Sequence, residues 1–310
     1  MTKHPVRRLG RSGLGLVSLG LPVAMFVLLS LRAPDFLALQ NIANVNSQIT
    51  ALLIVALGQL MVALIGGIDI SVGSVLSLTS VLIVSLDPSF AVPAALAVGA
   101  GVGLANGVGV AVFGVHPLIM TLASMTFVQG LALLFLSGAG GAVPAPLIAM
   151  AKSSVGGLPA AFYWCVAAVA VASVLLYRSR FGLRIFAIGA NAQSAALSGV
   201  RVTAPRIACY TLCALSGAIA GIYLTGRIAT GDPTMGQPFG LDSVTAIALG
   251  GVQLSGGVGS VVGAVMGTIT LGLIANGMNL IGVSPFFRAA VTGVLLLGAV
   301  SLQRRKVIGI

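Results

Sequence analysis

Ten long runs of apolar residues, separated by short polar segments, constrain this chain more than any other feature. A helix needs about 20 apolar residues to cross roughly 30 Å of hydrocarbon. Runs near that length or slightly shorter cover residues 14–32, 47–66, 71–86, 91–113, 117–137, 160–177, 207–227, 242–258, 260–281 and 287–302. Only 7% of the 310 residues are charged, too few to cover a soluble domain of this size. We therefore predict an all-α integral membrane protein, a polytopic helical bundle of about ten transmembrane helices.

The basic residues predict the orientation of these spans. They are concentrated in the N-terminal tail, in the segment 178–206 and at the C-terminus: Lys3, Arg7, Arg8 and Arg11; Arg178, Arg180, Arg184, Arg201 and Arg206; Arg304, Arg305 and Lys306. Even numbers of predicted spans separate the three groups, so all three lie on one side, which the positive-inside rule makes cytoplasmic. Both termini are then cytoplasmic, and the Pro- and Gly-rich segments 137–159 and 228–241 are outer loops. This placement also argues against nucleic acid as the partner of a chain with net charge +11.

Two glycine-containing segments resemble each other. Residues 66–75 are echoed by 250–261, and the segments 105–107 and 114–117 are echoed by 275–277 and 282–285. Transporters are often built from two such halves with broken helices between them. A glycine-rich composition also produces chance matches, so both explanations stay open. A broken or re-entrant helix near 66–86 or 242–262 would lower the number of complete spans.

Several kinds of chemistry have no motif in this sequence. There is no phosphate-binding loop with its lysine, so the chain does not hydrolyse ATP itself. No nucleophile, metal or acid–base cluster indicates an enzyme, and no cofactor or metal site is predicted. The five acidic residues lie at predicted span ends or in loops, Asp69 being the least certain of them. A carrier driven by an ion gradient usually has a carboxylate inside a span, so this alternative is less favoured.

Polar residues within or beside the spans are candidates for a translocation path. These are Gln59, Asp69, Ser71, Asn106, Gln129 and Asn276. The amides either hydrogen-bond between helices or line a polar path for hydroxylated solutes, and the sequence does not decide between these uses. For Asp69 and Ser71, helix capping is favoured over contact with a solute or ion. Capping is also the expectation for Asp242.

The segment 178–206 is too polar to span a membrane and longer than a simple connection. Within it, residues 191–199 are typical of a short helix closed by glycine. Its apolar residues Ala187, Ile188, Ala195 and Leu197 predict a face that inserts into a groove on a partner protein. A solvated basic loop is the alternative.

The motifs of this segment resemble those of one family. Residues 180–184, 187–191 and 197–200 are similar to the cytoplasmic coupling loop of bacterial ABC permeases of the ribose, arabinose, xylose and galactose type. Residues 66–74, 249–260, 276–277 and 284–285 are similar to further motifs of these permeases, so the resemblance covers nearly the whole chain in order. Where relatives usually carry Glu and Arg, this chain has Gln193 and Ala196, and Arg288 stands where they have Gln. Docking of an ATPase would therefore rely on apolar contact.

The resemblance implies a single transmembrane permease domain over residues 1–310, with a coupling loop at about 178–206, in the bacterial inner membrane. A member of the family pairs with a second copy or a sister permease, binds a cytoplasmic ABC ATPase subunit and receives solute from an extracytoplasmic solute-binding protein. The implied coupling residues are Phe181, Gly182, Arg184, Ala187, Ile188, Gly189, Asn191, Ala195, Leu197, Ser198 and Gly199. The solute would be a monosaccharide or a similar small polar molecule. Nucleosides, a signalling furanone, amino acids and an ion-gradient-driven carrier stay open as alternatives.

Overall fold

A computed structural model describes residues 11–301 of the chain, and within them the fold is helical apart from one short hairpin. The helices are α1 (Arg11–Arg32), α2 (Leu39–Leu64), α3 (Val72–Ser85), α4 (Pro88–Ala111), α5 (Pro117–Phe135), α6 (Ala145–Lys152), α7 (Ala160–Tyr177), α8 (Arg180–Ala190), α9 (Ala192–Leu197), α10 (Thr203–Ile228), α11 (Phe239–Leu249), α12 (Val261–Leu280) and α13 (Pro285–Ser301). The strands β1 (Ser154–Val155) and β2 (Leu158–Pro159) pair antiparallel between α6 and α7. The basic residues Lys3, Arg7, Arg8, Arg304, Arg305 and Lys306 lie outside the described residues.

Each of the ten predicted runs contains a helix, but not every helix has the length of a span. Within residues 11–301, six helices are long and apolar enough to cross a membrane: α2, α4, α5, α7, α10 and α12. The apolar helices α3, α11 and α13 are shorter. The continuous span predicted over 242–258 is wrong, because α11 ends at Leu249 and irregular backbone follows the glycine pair 250–251. The predicted count of about ten complete spans is therefore not confirmed by the described part of the chain.

Helix α2 is the centre of the bundle, since 89% of its span is buried inside the protein. It packs against α7, α10, α11 and α12. Helix α10 also packs closely on α4, where Gly99, Gly103 and Gly107 form a stripe along one face. A Cβ atom at Gly103 or Gly107 would meet the α10 backbone at Thr211 or Ile207. Small residues at four-residue spacing let two helices approach closely, which gives dispersion contacts where lipid supplies no hydrophobic driving force.

The half-length helices α3 and α11 begin next to each other inside the bundle. A Cβ atom at Gly73, in the first turn of α3, would meet the carbonyl oxygen of Gly236, just before α11. In the same way, Gly240 at the start of α11 lies against the backbone of Ile70. Helices of 14 and 11 residues extend only about 21 Å and about 17 Å. Each of them therefore covers only part of the membrane's thickness.

The segment before α3 and the segment after α11 also contact each other. The amide of Gly257 donates to the carbonyl oxygen of Leu64 at 2.8 Å, where α2 ends. An added Cβ at Gly256 would lie 3.0 Å from the Gly66 amide nitrogen, so the two similar segments found in the sequence, 66–75 and 250–261, contact each other. The second echo has a simpler basis: Gly114 and Gly282 each adopt a left-handed conformation shortly before a helix that starts with proline, α5 or α13.

Helix α7 separates two different ends of the bundle. The hairpin β1–β2 precedes it and α8 follows it, so the two lie about 27 Å apart along an 18-residue helix. We call these the hairpin end and the α8 end. At the hairpin end, Gly140 and Gly231 exchange two backbone hydrogen bonds of 2.8 and 2.9 Å. The prediction of a plain loop over 137–159 missed α6 and the hairpin, whose two-residue Gly156-Gly157 turn has positive φ at both positions.

Candidate functional site

Two short capped helices make up most of the segment between α7 and α10. The hydroxyl of Ser179 accepts a hydrogen bond from the Gly182 amide at 3.1 Å and caps α8. The side chain of Asn191 accepts one from the Ser194 amide at 2.9 Å and caps α9. Gly199, with φ of 82°, follows the end of α9 and lets the chain turn away. The helix predicted over 191–199 is thus confirmed as α9, while α8 was not predicted as a helix.

Helix α8 packs against the end of α2 and against the residues that follow α11. Its buried residues Gly182, Ile185, Ile188 and Gly189 follow helical spacing along one face. At Gly189 this contact is closest, because an added Cβ would overlap the Leu64 carbonyl oxygen and the Gly257 amide. These are the two atoms that hydrogen-bond to each other where the segments meet. A displacement of α8 would therefore also move the end of α2 and the residues after α11.

Only part of the apolar face predicted for partner docking is exposed. Ile188 and Ala195 are buried against the rest of the chain, and Ala187 is half-buried. Periodicity shows that a helix has an apolar side but not whether its own protein covers it. Apolar contact is available from Leu197 of the predicted face, which is 84% exposed, and from Leu183, which is 73% exposed. The predicted coupling residues Arg184, Asn191, Leu197, Ser198 and Gly199 are exposed, Phe181 is half-buried, and Gly182 and Gly189 are buried.

Four of the predicted path residues lie together where α2 gives way to α3. Asp69 accepts hydrogen bonds from the amide and the hydroxyl of Ser71, at 2.9 and 2.6 Å. The Asn106 amide on α4 donates to the same hydroxyl at 2.8 Å, and its oxygen accepts from Ser124 on α5. All four residues named in the prediction for this region, Gln59, Asp69, Ser71 and Asn106, are fully buried. We refer to Gln59, Asp69, Ser71, Asn106 and Ser124 as the Asp69 cluster.

The main chain of the interruption is also held by a side chain. With its amide oriented to satisfy both groups, Gln59 donates to the Asp69 carbonyl oxygen at 2.9 Å and accepts from the Asp69 amide at 3.1 Å. A buried backbone group without a partner is costly in a membrane, so this pairing replaces the missing helical hydrogen bonds. The capping expectation for Asp69 and Ser71 is not met. Ser71 makes no side-chain cap of α3, and it is Asp69 that satisfies the Ser71 amide.

The other two predicted path residues lie elsewhere. Asn276 on α12 exchanges two hydrogen bonds with Asn41 on α2, at 2.9 and 3.2 Å. Gln129 on α5 donates to the Pro233 carbonyl oxygen at 2.7 Å. Both amides therefore connect segments of the bundle, which is the interhelical use that the sequence left open. The structure does not join them to the Asp69 cluster.

Polar cavities near the hairpin end contain residues that the sequence reasoning missed. Gln48, Arg227, Asn279 and Arg288 line a cavity of about 300 Å³. Arg288 also approaches Asp242 at 3.5 Å, across a second cavity of about 260 Å³. The capping role expected for Asp242 is not what the structure shows, because this carboxylate faces Arg288. Residues of opposite charge in two apolar runs, 242–258 and 287–302, were the signal that could have indicated this pair.

Comparison with known proteins agrees with this architecture. The family described as "Branched-chain amino acid transport system / permease component" matches residues 41–300. The ribose import permease protein RbsC of Bacillus subtilis is 36% identical over 290 residues, which cover 91% of this chain and 90% of the relative. RbsC of Escherichia coli K12 is 34% identical, over 92% of both chains. The L-arabinose transport system permease protein AraH of E. coli K12 is 35% identical, over 91% of this chain and 88% of the relative.

No solved structure matches the chain significantly. The family match covers all the apolar helices from α2 to α12, including both interrupted segments and the insert between α7 and α10. The relatives are transport components and leave ATP hydrolysis to a separate subunit. The chain therefore belongs to this permease family, as a multi-pass component of an ABC importer in the bacterial inner membrane.

Proposed function

We propose that this chain forms the translocation path of a binding-protein-dependent importer for a monosaccharide. The relatives named for ribose and L-arabinose, at 34–36% identity over most of both chains, support this class of solute. The family description names branched-chain amino acids, so these are the alternative solutes that a test has to include. The whole chain acts as one permease domain, paired with a second copy or a sister permease.

The single observation that carries the mechanism is the contact of Gly189 on α8 with Leu64, the last residue of α2, and with Gly257, which follows α11. In the proposed complex an ABC ATPase subunit binds the exposed side of α8 and α9, through Leu183, Leu197 and the neighbouring exposed residues. Binding and hydrolysis of ATP by that subunit bias the position of α8. Because α8 rests on the end of α2 and on the residues after α11, a displacement of α8 is transmitted to both half-helices, α3 and α11.

This proposal fixes the orientation of the chain. The α8 end and both termini face the cytoplasm, and the hairpin end faces an extracytoplasmic solute-binding protein. The Asp69 cluster and the polar cavities lie between these ends, where a solute passes the bundle. Apart from Asp69 Oδ2, which is buried without a hydrogen-bond partner within the described residues, the polar side-chain atoms of the cluster are bonded to one another or to the main chain. The role of the cluster is to hold the interruption in shape beside the path.

A reconstituted transport assay tests the proposal. The permease is placed in proteoliposomes with its ATPase and solute-binding protein partners. Uptake of D-ribose, L-arabinose and L-leucine is then measured with and without ATP. We expect ATP-dependent uptake of a monosaccharide that an uncoupler leaves unchanged. Uptake without the ATPase that an uncoupler abolishes would identify an ion-gradient-driven carrier, and uptake of leucine alone would overturn the sugar assignment.

Binding of the ATPase subunit can be tested separately from transport. Leu183→Ser and Leu197→Ser each remove a large exposed apolar side chain from the proposed docking surface. An apolar contact of this size contributes about 1.5 kcal/mol, so each change should weaken binding roughly tenfold. Leu158→Ser at the hairpin end is the matched control, since Leu158 is also exposed. Equal binding by all three variants would contradict the docking surface.

A further inference from the structure

The cavity of about 300 Å³ near the hairpin end is polar in an otherwise apolar bundle. Its polar lining comes from four helices: Gln48 on α2, Arg227 on α10, Asn279 on α12 and Arg288 on α13. Arg227 is one residue from the end of α10, a helix of 26 residues that starts just after α9. The cavity therefore lies at the opposite end of α10 from α9, on the side from which solute enters in the proposed function.

Three of these side chains have hydrogen-bonding groups that are available to a ligand. Within residues 11–301, the side chains of Gln48, Arg227 and Asn279 make no hydrogen bond to another residue. The contrast with Gln59, Asn106 and Asn276 is clear, since those amides are all engaged within the bundle. Amides and guanidinium groups inside a membrane protein need polar partners. In this cavity the partner has to be water or a solute.

The cavity also has one aromatic wall. Phe239, the first residue of α11, lines it and is half-buried. Phe239 begins the half-helix that runs toward the segment touched by α8. The residue next to it, Gly240, lies against the backbone of Ile70, just before α3. A molecule bound against Phe239 would thus contact the place where both half-helices begin.

Arg288 forms the boundary of this cavity with the next one. It lines both cavities, and its guanidinium group approaches Asp242 at 3.5 Å. The second cavity, of about 260 Å³, is lined by the further polar residues Gln237, Thr245 and Thr292. A solute that moves from one cavity to the other has to pass the Arg288–Asp242 pair. The exposed guanidinium group can bind it on the way, because an arginine has five donors and Asp242 engages only part of them.

We propose that the cavity lined by Gln48, Arg227, Phe239, Asn279 and Arg288 binds the transported solute, a neutral molecule with several hydroxyl groups and an apolar ring face. Planar amides and guanidinium groups suit vicinal hydroxyls, because each presents two polar atoms side by side. The phenyl ring suits the C–H face of a sugar ring by apolar contact. This inference rests on the proposed function and assigns a solute site to this permease itself. Binding has to be weak enough to release the solute to the path.

The proposal is tested by protection of a cysteine placed in the cavity. Val283→Cys introduces a thiol beside Asn279, in the full-length permease within the complete importer in proteoliposomes. Labelling by a membrane-impermeant maleimide is measured with D-ribose, with L-leucine and without solute. The parent protein provides the background from its own cysteines, of which Cys209 and Cys213 are buried. We expect D-ribose to slow labelling in a concentration-dependent way and L-leucine to leave it unchanged.

Variants of the free amides decide whether the cavity is the site of protection. Asn279→Leu and Gln48→Leu, each combined with Val283→Cys, remove hydrogen bonds to a solute while keeping a side chain of similar size. Loss of one such bond should raise the half-protecting ribose concentration about tenfold. Thr126→Val on α5 is the control, because Thr126 is bonded only within its own helix. This control should protect like the Val283→Cys parent.

The outcomes separate this inference from the proposed function. If D-ribose is imported but does not protect the thiol, or protects all variants equally, the solute site is overturned and the sugar import stands. If no monosaccharide is imported, the proposed function fails. In that case protection by D-ribose that is lost in Asn279→Leu would still support a polyol site, and absence of protection would overturn it.

Discussion

The two interrupted segments of the bundle, 65–71 and 250–260, have similar sequences but are held in different ways. The first is fixed by side chains: Gln59 pairs with the main chain of Asp69, and Asp69 is linked through Ser71 to Asn106. The second is held by main-chain hydrogen bonds, including Gln253 N to Val258 O at 2.9 Å. Asp69 and Ser71 are fully buried, whereas Ser255 and Val258 are exposed.

This difference indicates which segment moves. A buried network of side chains has one arrangement that satisfies all its members, so it resists displacement. A glycine-rich segment with exposed residues can change its main-chain angles at lower cost. We therefore expect the first interruption to act as a fixed support and the second as the hinge. Gly189 on α8 lies against Leu64, the residue just before the first segment, and against Gly257 in the second, so it is the position at which this comparison can be tested most strongly.

The largest effect is expected from Gly189→Ala. The added methyl group would overlap the Leu64 carbonyl oxygen and the Gly257 amide, which are main-chain atoms with little freedom to retreat. Overpacking of this kind costs about 1–3 kcal/mol, and α8 would have to shift away from the contact. ATP-driven uptake should fall by about tenfold or more, while ATP hydrolysis by the assembled complex continues. Proteoliposome uptake and phosphate release measure the two quantities.

Gly101→Ala is the matched control for this change. Gly101 lies on α4, and an added Cβ there would have no other atom within 4 Å. It should transport like the unmodified chain. Normal uptake by Gly189→Ala would mean that α8 does not act through this contact.

A smaller effect should distinguish the two interruptions directly. Asp69→Ala leaves the amide and the hydroxyl of Ser71 without their acceptor in a buried site, at a cost of about 1–3 kcal/mol. The thermal midpoint in detergent should fall by about 5 °C. Gln253→Ala in the second interruption keeps the main-chain bond to Val258 and should lower the midpoint by less than half as much. Equal losses would refute the division into support and hinge.

The smallest effect is expected at Asp87, where the half-helix α3 is followed by α4. Its carboxylate accepts a hydrogen bond from the Ser89 amide at 2.9 Å and caps α4. This bond holds the pKa of Asp87 below its usual range. A lowered pKa means that the cap stabilises the fold above pH ~4 and is lost as the pH falls through the folded-state pKa.

Asp87→Ala should therefore lower the thermal midpoint slightly at neutral pH, and the difference from the unmodified chain should shrink below pH ~4. Asp35→Ala is the control, because the structure shows no hydrogen bond of the Asp35 side chain within residues 11–301. A difference that persists at low pH would show that the charged cap on α4 is not its cause.

Much of the fold could be predicted from local sequence. The apolar runs gave the positions of ten helices, because apolar length alone determines which segments enter a membrane. The end of α11 at Leu249 was not located, since residues 250–258 still contain Val252, Leu254 and Val258, and the sequence indicated only that a break could lie within 242–262. What interrupts the helix there is the main-chain freedom of Gly250, Gly251, Gly256 and Gly257, three of which have positive φ. A hydropathy profile contains no information on the main-chain freedom of glycine.

The candidate site was predictable only in part, for a similar reason. Gln59, Asp69, Ser71 and Asn106 could be picked out as polar residues in apolar surroundings, and they lie together. That Asn276 pairs with Asn41 depends on how α2 and α12 pack, which no local pattern contains. Arg227 and Asn279 lie near helix ends, and Gln48 lies at the start of the predicted span 47–66, where polar side chains are common. Only the packing of four helices makes them one cavity.

The pair of main-chain hydrogen bonds between Gly140 and Gly231 has a mechanical consequence. It links the stretch after α5 to the stretch after α10, and Val84 packs close to Gly231 and to Gly141, the residue after Gly140. A protein that grips either stretch from outside therefore pulls on the other. Residue 231 is only eight positions before Phe239, so a force on this stretch also acts on α11, the half-helix that is followed by the residues in contact with α8.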